Sequence, residues 1–282
     1  MEDRLKVGKD MTDKKFSLSN RYCLITGAAG LLGPEHAQAI LEINGNVILT
    51  DINMARLKKQ VKQIKLKFKN ASIIYYKMDV TKLNDIKKVF NKLKKKKINV
   101  EVLINNAAID AKVKKGISKN SNSFEKFSLN EWERQISVGP TGSMLCSQVF
   151  GTLMSKRKKG VILNIASDLS VVAPDQRLYS LSKNVKSYKP VTYSVIKHGL
   201  IGLTKYLSTY WPDKNIRCNA LSPGGIELDQ SIKFKKKIKK LIPLNRMAYK
   251  SEYKSAVKFL CSDASSYMTG QNLIIDGGRS IW

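Results

Sequence analysis

From about residue 16 onward, short apolar runs alternate with longer segments in which apolar positions recur every three or four residues. Continuous apolar runs predict strands buried on both faces and the periodic segments predict amphipathic helices, so the alternation reads as repeated βαβ units around a parallel sheet. Strands are predicted at 22–26, 46–50, 72–77, 100–105, 160–166, 216–221 and 272–275. Helices are predicted at 33–44, 83–93, 130–156, 191–210 and 251–261. A further helix carries Leu57, Val61, Ile64 and Phe68 on one face and lysines on the other. Residues 109–128 read as a polar loop, and 1–15 as a loose tail that becomes ordered near Phe16 and Leu18. The expected fold class is α/β, one doubly wound parallel sheet in a single domain over 16–282, without internal repeats.

With 43% apolar and 26% charged residues, the chain has the make-up of a globular protein with a sizeable core. A formal charge of +29 raises an acidic partner, but only nine of the 51 basic residues are arginine and the lysines are spread over helix faces. The runs at 94–97 and 235–240 are read as solvated faces, and no specific nucleic-acid partner is expected. Cys23, Cys146, Cys218 and Cys261 lie far apart, three of them in apolar segments, so they read as buried reduced thiols and no metal is expected. No apolar stretch approaches 18 residues and no signal peptide is apparent, so the expected location is the cytoplasm, without membrane insertion.

Residues 26–33 read TGAAGLLG where the first strand should turn into the first helix. Gly27, Gly30 and Gly33 permit a tight turn, close approach of a pyrophosphate and packing of helix on sheet, while the helix N-terminus offers N–H groups to phosphates. Asp51 lies 18 residues beyond Gly33 at the end of the second strand, placed to accept hydrogen bonds from a ribose diol or to cap the next helix. A 2′-phosphate would meet a like charge there, so NAD is favoured over NADP, although Arg56 stands close by in sequence. These features make the sheet a Rossmann-type one.

Further motifs come in order along the chain: Asp79 in KMDV, Asn105 to Ala108, NIAS ending at Ser167, YSVIK with Tyr193 and Lys197, SPGG at 222–225 and TGQNLIIDGG. From Phe16 to Trp282 the chain resembles the short-chain dehydrogenase/reductase family. The resemblance implies that Leu31 and Leu32 complete the dinucleotide turn, that Asp79 and Val80 adjoin the adenine, and that Asn106, Ala107 and Ala108 support the cofactor. It also implies that Pro223, Gly224 and Ile226 face the nicotinamide and that Tyr193 and Lys197 touch it. The helices at 130–156 and 191–210 match those that pair between subunits in the family, implying a homodimer or homotetramer.

Three departures stand out. The glycines are spaced as in the family's extended members, Gly139 replaces the usual catalytic Asn, and the stretch between Ser167 and Tyr193 is about twice the usual length, with an inserted loop at 174–190. Together with LCSQ at 145–148 they resemble the flagellin modification protein A subgroup, which implies surface-glycan or nonulosonic-acid biosynthesis.

Hydride transfer to or from nicotinamide needs a group that exchanges the proton of the substrate hydroxyl. A free tyrosine ionises near pH ~10, and a lysine one helical turn later stabilises the phenolate. Tyr193, Lys197 and Ser167 are the candidate catalytic residues, with Ser170 competing for the serine's role. A backbone carbonyl, Thr141 or His198 are the candidates to replace the Asn missing at Gly139. The segment 226–245 is read as a lid over a small-molecule substrate. Arg177, Tyr179, Lys183 and Lys186 of the inserted loop either attract an anionic substrate or are solvated. The expected reaction interconverts a hydroxyl and a keto group on a sugar-derived substrate. The alternatives are a 3-oxoacyl thioester reductase and a cofactor-binding subunit with weakened turnover.

Overall fold

The computed structural model describes residues 14–109, 122–179 and 187–282. Seven strands occupy the predicted places: β1 Tyr22–Ile25, β2 Asn46–Asp51, β3 Ile73–Lys77, β4 Val100–Asn105, β5 Gly160–Ile165, β6 Ile216–Pro223 and β7 Asn272–Ile275. They form one all-parallel sheet in the order β3-β2-β1-β4-β5-β6-β7. Every residue of β5 is buried, as expected of a central parallel strand covered on both faces. The chain reverses direction across the sheet between β1 and β4, and the crevice at that switch point is where such folds bind ligands.

The helices covering the sheet are α1 Gly33–Leu41, α2 Met54–Lys67, α3 Leu83–Lys95, α4 over 129–157, α5 Val191–Tyr210, α6 Ile232–Lys239 and α7 Lys254–Cys261. In α3 the buried side chains are Ile86, Val89 and Leu93, the three- and four-residue spacing of one face, while its lysines point outward. One apolar core lies on the α1, α2 and α7 side and a second on the α3, α4 and α5 side. Leu18 is fully buried and its N–H donates to the Ile43 carbonyl at 2.7 Å, and Phe16 packs against the same core. The predicted tail up to residue 13, 110–121 of the polar loop, and 180–186 of the inserted loop with Lys183 and Lys186 lie outside the described residues.

Three local differences have physical causes. The segment predicted as 130–156 is interrupted by π turns at Ser137–Thr141 and Ser147–Gly151, the first holding Pro140, whose ring and missing N–H an α-helical interior does not accommodate. The segment predicted as 251–261 opens with a separate 3-10 turn, Lys250–Tyr253. Within the predicted lid, α6 forms with Ser231 as its cap, accepting the Phe234 N–H at 3.2 Å; its apolar residues are too few among lysines to mark it in sequence. Ile238 of α6 joins Leu178, Ile242 and Met247 in a small third core. All four cysteines are buried free thiols, and burial pushes Cys146 and Cys261 each up to about 12.

Candidate active site

The dinucleotide turn is built by close backbone approach. Gly27 has a φ of +60°, and a Cβ there would lie 2.7 Å from the Ala107 Cα, so the turn after β1 and the turn after β4 touch only because no side chain intervenes. Thr26 joins them: its Oγ1 accepts the N–H groups of Asn106 and Ala107, both at 3.0 Å. The Asn106 amide donates back to the carbonyls of Thr26 and Gly27, also at 3.0 Å. Gly33 seats the start of α1, since a Cβ there would lie 2.6 Å from the Ala28 Cα. Gly30 sits against the Gly27 carbonyl, Leu31 is exposed and Leu32 buried. Pro34 and Glu35 lie in the first turn of α1, and no side chain caps its N-terminus.

Asp51 ends β2 beside this turn. Its Oδ2 accepts the Ala29 N–H at 2.9 Å and its Oδ1 the Asn53 N–H at 2.8 Å. The cap of α2 is Asn53 rather than Asp51, because the Asn53 side chain accepts the Arg56 N–H at 3.0 Å. Arg56 reaches across to the Ala29 carbonyl at 3.1 Å, so a carboxylate and a guanidinium both border this turn. Asp79 folds onto Thr81, accepting its N–H and hydroxyl at 3.0 and 2.7 Å. Val80 is buried against Gly142 of α4. Gly27, Gly33, Asp51 and the Asn106 to Ala108 turn thus lie together beyond the ends of β1, β2 and β4, the group of residues that could hold a dinucleotide.

At the far side, Gly224 follows Pro223 with its N–H bonded to the Ile275 carbonyl at 2.8 Å, and its carbonyl accepts the buried Tyr253 hydroxyl at 3.1 Å. Ile226 pairs with Ala248 through an isolated bridge, which fastens the two ends of segment 226–245 together.

The C-terminal end of β5 organises the remainder. Lys197 is 5% exposed and donates to the Ile165 carbonyl at 2.9 Å. Its ammonium lies 5.7 Å from the centre of the Tyr193 ring, one turn earlier on α5. Ser167, two residues past that carbonyl, donates its hydroxyl to Asp168 at 2.7 Å, and Asp168 is ion-paired at 2.6 Å with Arg279. Ser170 instead faces Ser222 at 2.9 Å, and Ser222 donates to Asn272 at 2.7 Å. Of the two serines, Ser167 is the one beside the strand end that holds Lys197.

Gly139 is matched to its surroundings: a Cβ there would lie 2.6 Å from the Ile196 Cγ2, so Ile196 of α5 fills space next to the missing side chain. His198 is exposed with Nδ1 against the Ser194 carbonyl of its own helix at 2.9 Å.

Sequence reasoning placed Asn105 and Asn164 in motifs without giving either a role, and gave no signal for Thr204, Thr192 or Gln135. A buried chain runs from Asn105 to Asn164 at 2.8 Å and on to Thr204 at 2.8 Å, tying β4 and β5 to α5. Next to Tyr193, Thr192 donates to Gln135 of α4 at 2.5 Å. Thr26 belonged to the motif, but its role in joining two turns needs the sheet order to be known.

The family model described as enoyl-(acyl carrier protein) reductase matches residues 27–280. An NAD-dependent glycerol dehydrogenase of Listeria innocua is 31% identical, covering 95% of this chain and 97% of its own length. The post-translational flagellin modification protein A of Campylobacter coli is 29% identical over 93% of this chain and 98% of its own. A short-chain dehydrogenase of Leptospira borgpetersenii, solved with bound NAD+, superposes with a TM-score of 0.80 at 31% identity, covering 94% of this chain and 95% of that one. The chain belongs to the short-chain dehydrogenase/reductase family, and it is an NAD(P)-dependent oxidoreductase of alcohols or keto groups. Among the described residues no helix is long and apolar enough to cross a membrane.

Proposed function

We propose that this chain interconverts a hydroxyl and a keto group on a sugar-derived small molecule, using NAD in preference to NADP. The observation that carries the reading is the Lys197 to Ile165 bond, which fixes the ammonium below Tyr193 at the strand end that also bears Ser167. When bound, the nicotinamide gives or takes the hydride. In the oxidising direction Tyr193 takes the hydroxyl proton at its phenolic oxygen, Lys197 stabilises the phenolate, and Ser167 holds the substrate oxygen. In the resting arrangement the Ser167 proton is committed to Asp168, so substrate binding must redirect it.

Asp51 supports NAD, because its carboxylate is fixed by two backbone N–H groups where a 2′-phosphate would lie. Leu31, Asp79, Val80, Ala108, Pro223, Gly224 and Ile226 complete the proposed cofactor contacts. The substrate class draws on the glycerol dehydrogenase, and the surface-glycan or nonulosonic-acid setting on the flagellin modification protein. The segment 226–245, with α6, is the proposed substrate lid. Exposed Val195, Tyr206 and Tyr210 on α5 and Met144 on α4 support a homodimer or homotetramer through these helices.

Fluorescence titration with NADH and NADPH, followed by turnover on neutral polyols, aldonates and nucleotide sugars, tests the reading. Tight NADH binding and turnover of one of these classes is expected. Response to NADPH alone, with activity on 3-oxoacyl thioesters, would replace it with the acyl reductase alternative.

A further inference from the structure

The inserted segment places a second lysine on the candidate tyrosine. Lys189 Nζ lies 3.8 Å from the centre of the Tyr193 ring, closer than Lys197 at 5.7 Å, so two ammonium groups border one phenol. Lys197 is buried and bonded to β5, whereas Lys189 is half-buried, on the side from which the insert approaches.

The Lys189 backbone is held in place. The Gln176 side chain accepts its N–H at 2.9 Å and donates to its carbonyl at 3.3 Å, and Pro190 fixes the next φ. Gln176 belongs to the 3-10 turn Gln176–Leu178, which is anchored on the lid: Leu178 is buried with Ile238 and Ile242, and Lys237 donates to the Arg177 carbonyl at 2.8 Å.

We propose that Lys189 is a substrate-binding residue that selects molecules bearing an anionic group, a carboxylate or a phosphate, within one or two carbons of the reacting hydroxyl. The proposal rests on the reading of Tyr193 as the group that exchanges a proton with that hydroxyl. An oxygen seated at the phenol brings the substituents of its carbon beside the ring whose face the Lys189 ammonium covers. A lysine is a compact point charge, so it selects for charge without imposing the planar fork geometry of arginine. The insert therefore adds a charge filter to a site whose chemistry is supplied by β5 and α5.

Calorimetric titration of the enzyme–NADH complex with gluconate, glycerol 3-phosphate and xylitol tests this. At least one anion is expected to bind about tenfold or more tightly than neutral xylitol, with the better of the two naming the anion. Lys189→Met should abolish that preference without changing xylitol binding, and Lys189→Arg should keep most of it. Binding of neither anion, xylitol binding as tightly as both, or a preference that survives Lys189→Met would overturn the proposal. Loss of NADH binding in both Lys189→Met and Lys189→Gln would also overturn it, since the role would then not be substrate-specific. Full turnover by Tyr193→Phe would sink the catalytic reading on which the proposal rests, yet leave the binding result standing, so the two failures are distinguishable.

Discussion

Asp168 and Arg279 are ion-paired at 2.6 Å inside the protein, their side chains 4% and 8% exposed, and the same carboxylate accepts the Ser167 hydroxyl. The pair ties the residue after the candidate serine to the last turn of the chain, 111 positions away. The last turn is set up for this: Asp276 accepts the N–H groups of Gly278 and Ser280 at 2.9 and 2.8 Å, and Gly277 and Gly278 take positive φ.

Removing one partner leaves an uncompensated buried charge. Arg279→Met is expected to cost about 3–5 kcal/mol of stability. The neutral pair Asp168→Asn with Arg279→Gln keeps a hydrogen-bonded chain to Ser167 and should recover most of the loss. Urea unfolding of the three proteins measures this, and an unchanged midpoint in Arg279→Met would contradict the structural role.

Restoring the family's Asn at position 139 should not repair the site by itself. A Cβ there meets Ile196 at 2.6 Å, so Gly139→Asn is expected to cost about 1–3 kcal/mol through overpacking. Combining it with Ile196→Ala should return stability, and comparing the midpoints of single and double variants shows whether the two positions are coupled.

His36 on α1 is completely buried, and burial lowers its pKa from 6.5 to about 4. Its folded pKa lies below its unfolded one, so the unfolded chain binds the extra proton as pH falls from 6.5 to about 4. Stability is therefore full above pH 6.5, falls through that window and levels off below it, a loss of about 3 kcal/mol. Urea unfolding at pH 7.5 and 4.5 should show this loss in the wild type and little of it in His36→Leu.

Asp51→Ser removes a carboxylate that holds the Ala29 N–H. NADH affinity should fall about tenfold to a hundredfold, the worth of a charge-assisted hydrogen bond, while NADPH affinity should rise relative to it. Fluorescence titration with both cofactors gives the ratio; an unchanged ratio would remove Asp51 from cofactor selection.

The central strands were legible in the sequence because a parallel strand covered on both faces reads as an unbroken apolar run, as 160–165 does. Tyr193 and Lys197 were singled out by the motif order, YSVIK after NIAS and before SPGG, with the helical spacing that puts them on one face. What escaped depends on distance or on subtraction. Arg279 lies too far along the chain for any local pattern to link it to Asp168, and the fit of Ile196 beside Gly139 is a property of missing volume. The first π turn of α4 arises where Pro140 interrupts a segment whose apolar period continues past it. Lys189 carries no motif, and the Gln176 clamp holds its backbone where the ammonium lies over the ring.

The central claim is that Tyr193, backed by Lys197 on the Ile165 carbonyl, moves the substrate proton. Its most direct test is NAD-linked turnover, on the substrate that the wild type uses best, by wild type and Tyr193→Phe, with NADH affinity measured in both. The phenol's loss should lower kcat about 10²–10⁴-fold and leave NADH binding within about twofold of wild type. Equal turnover by the two proteins would contradict the account.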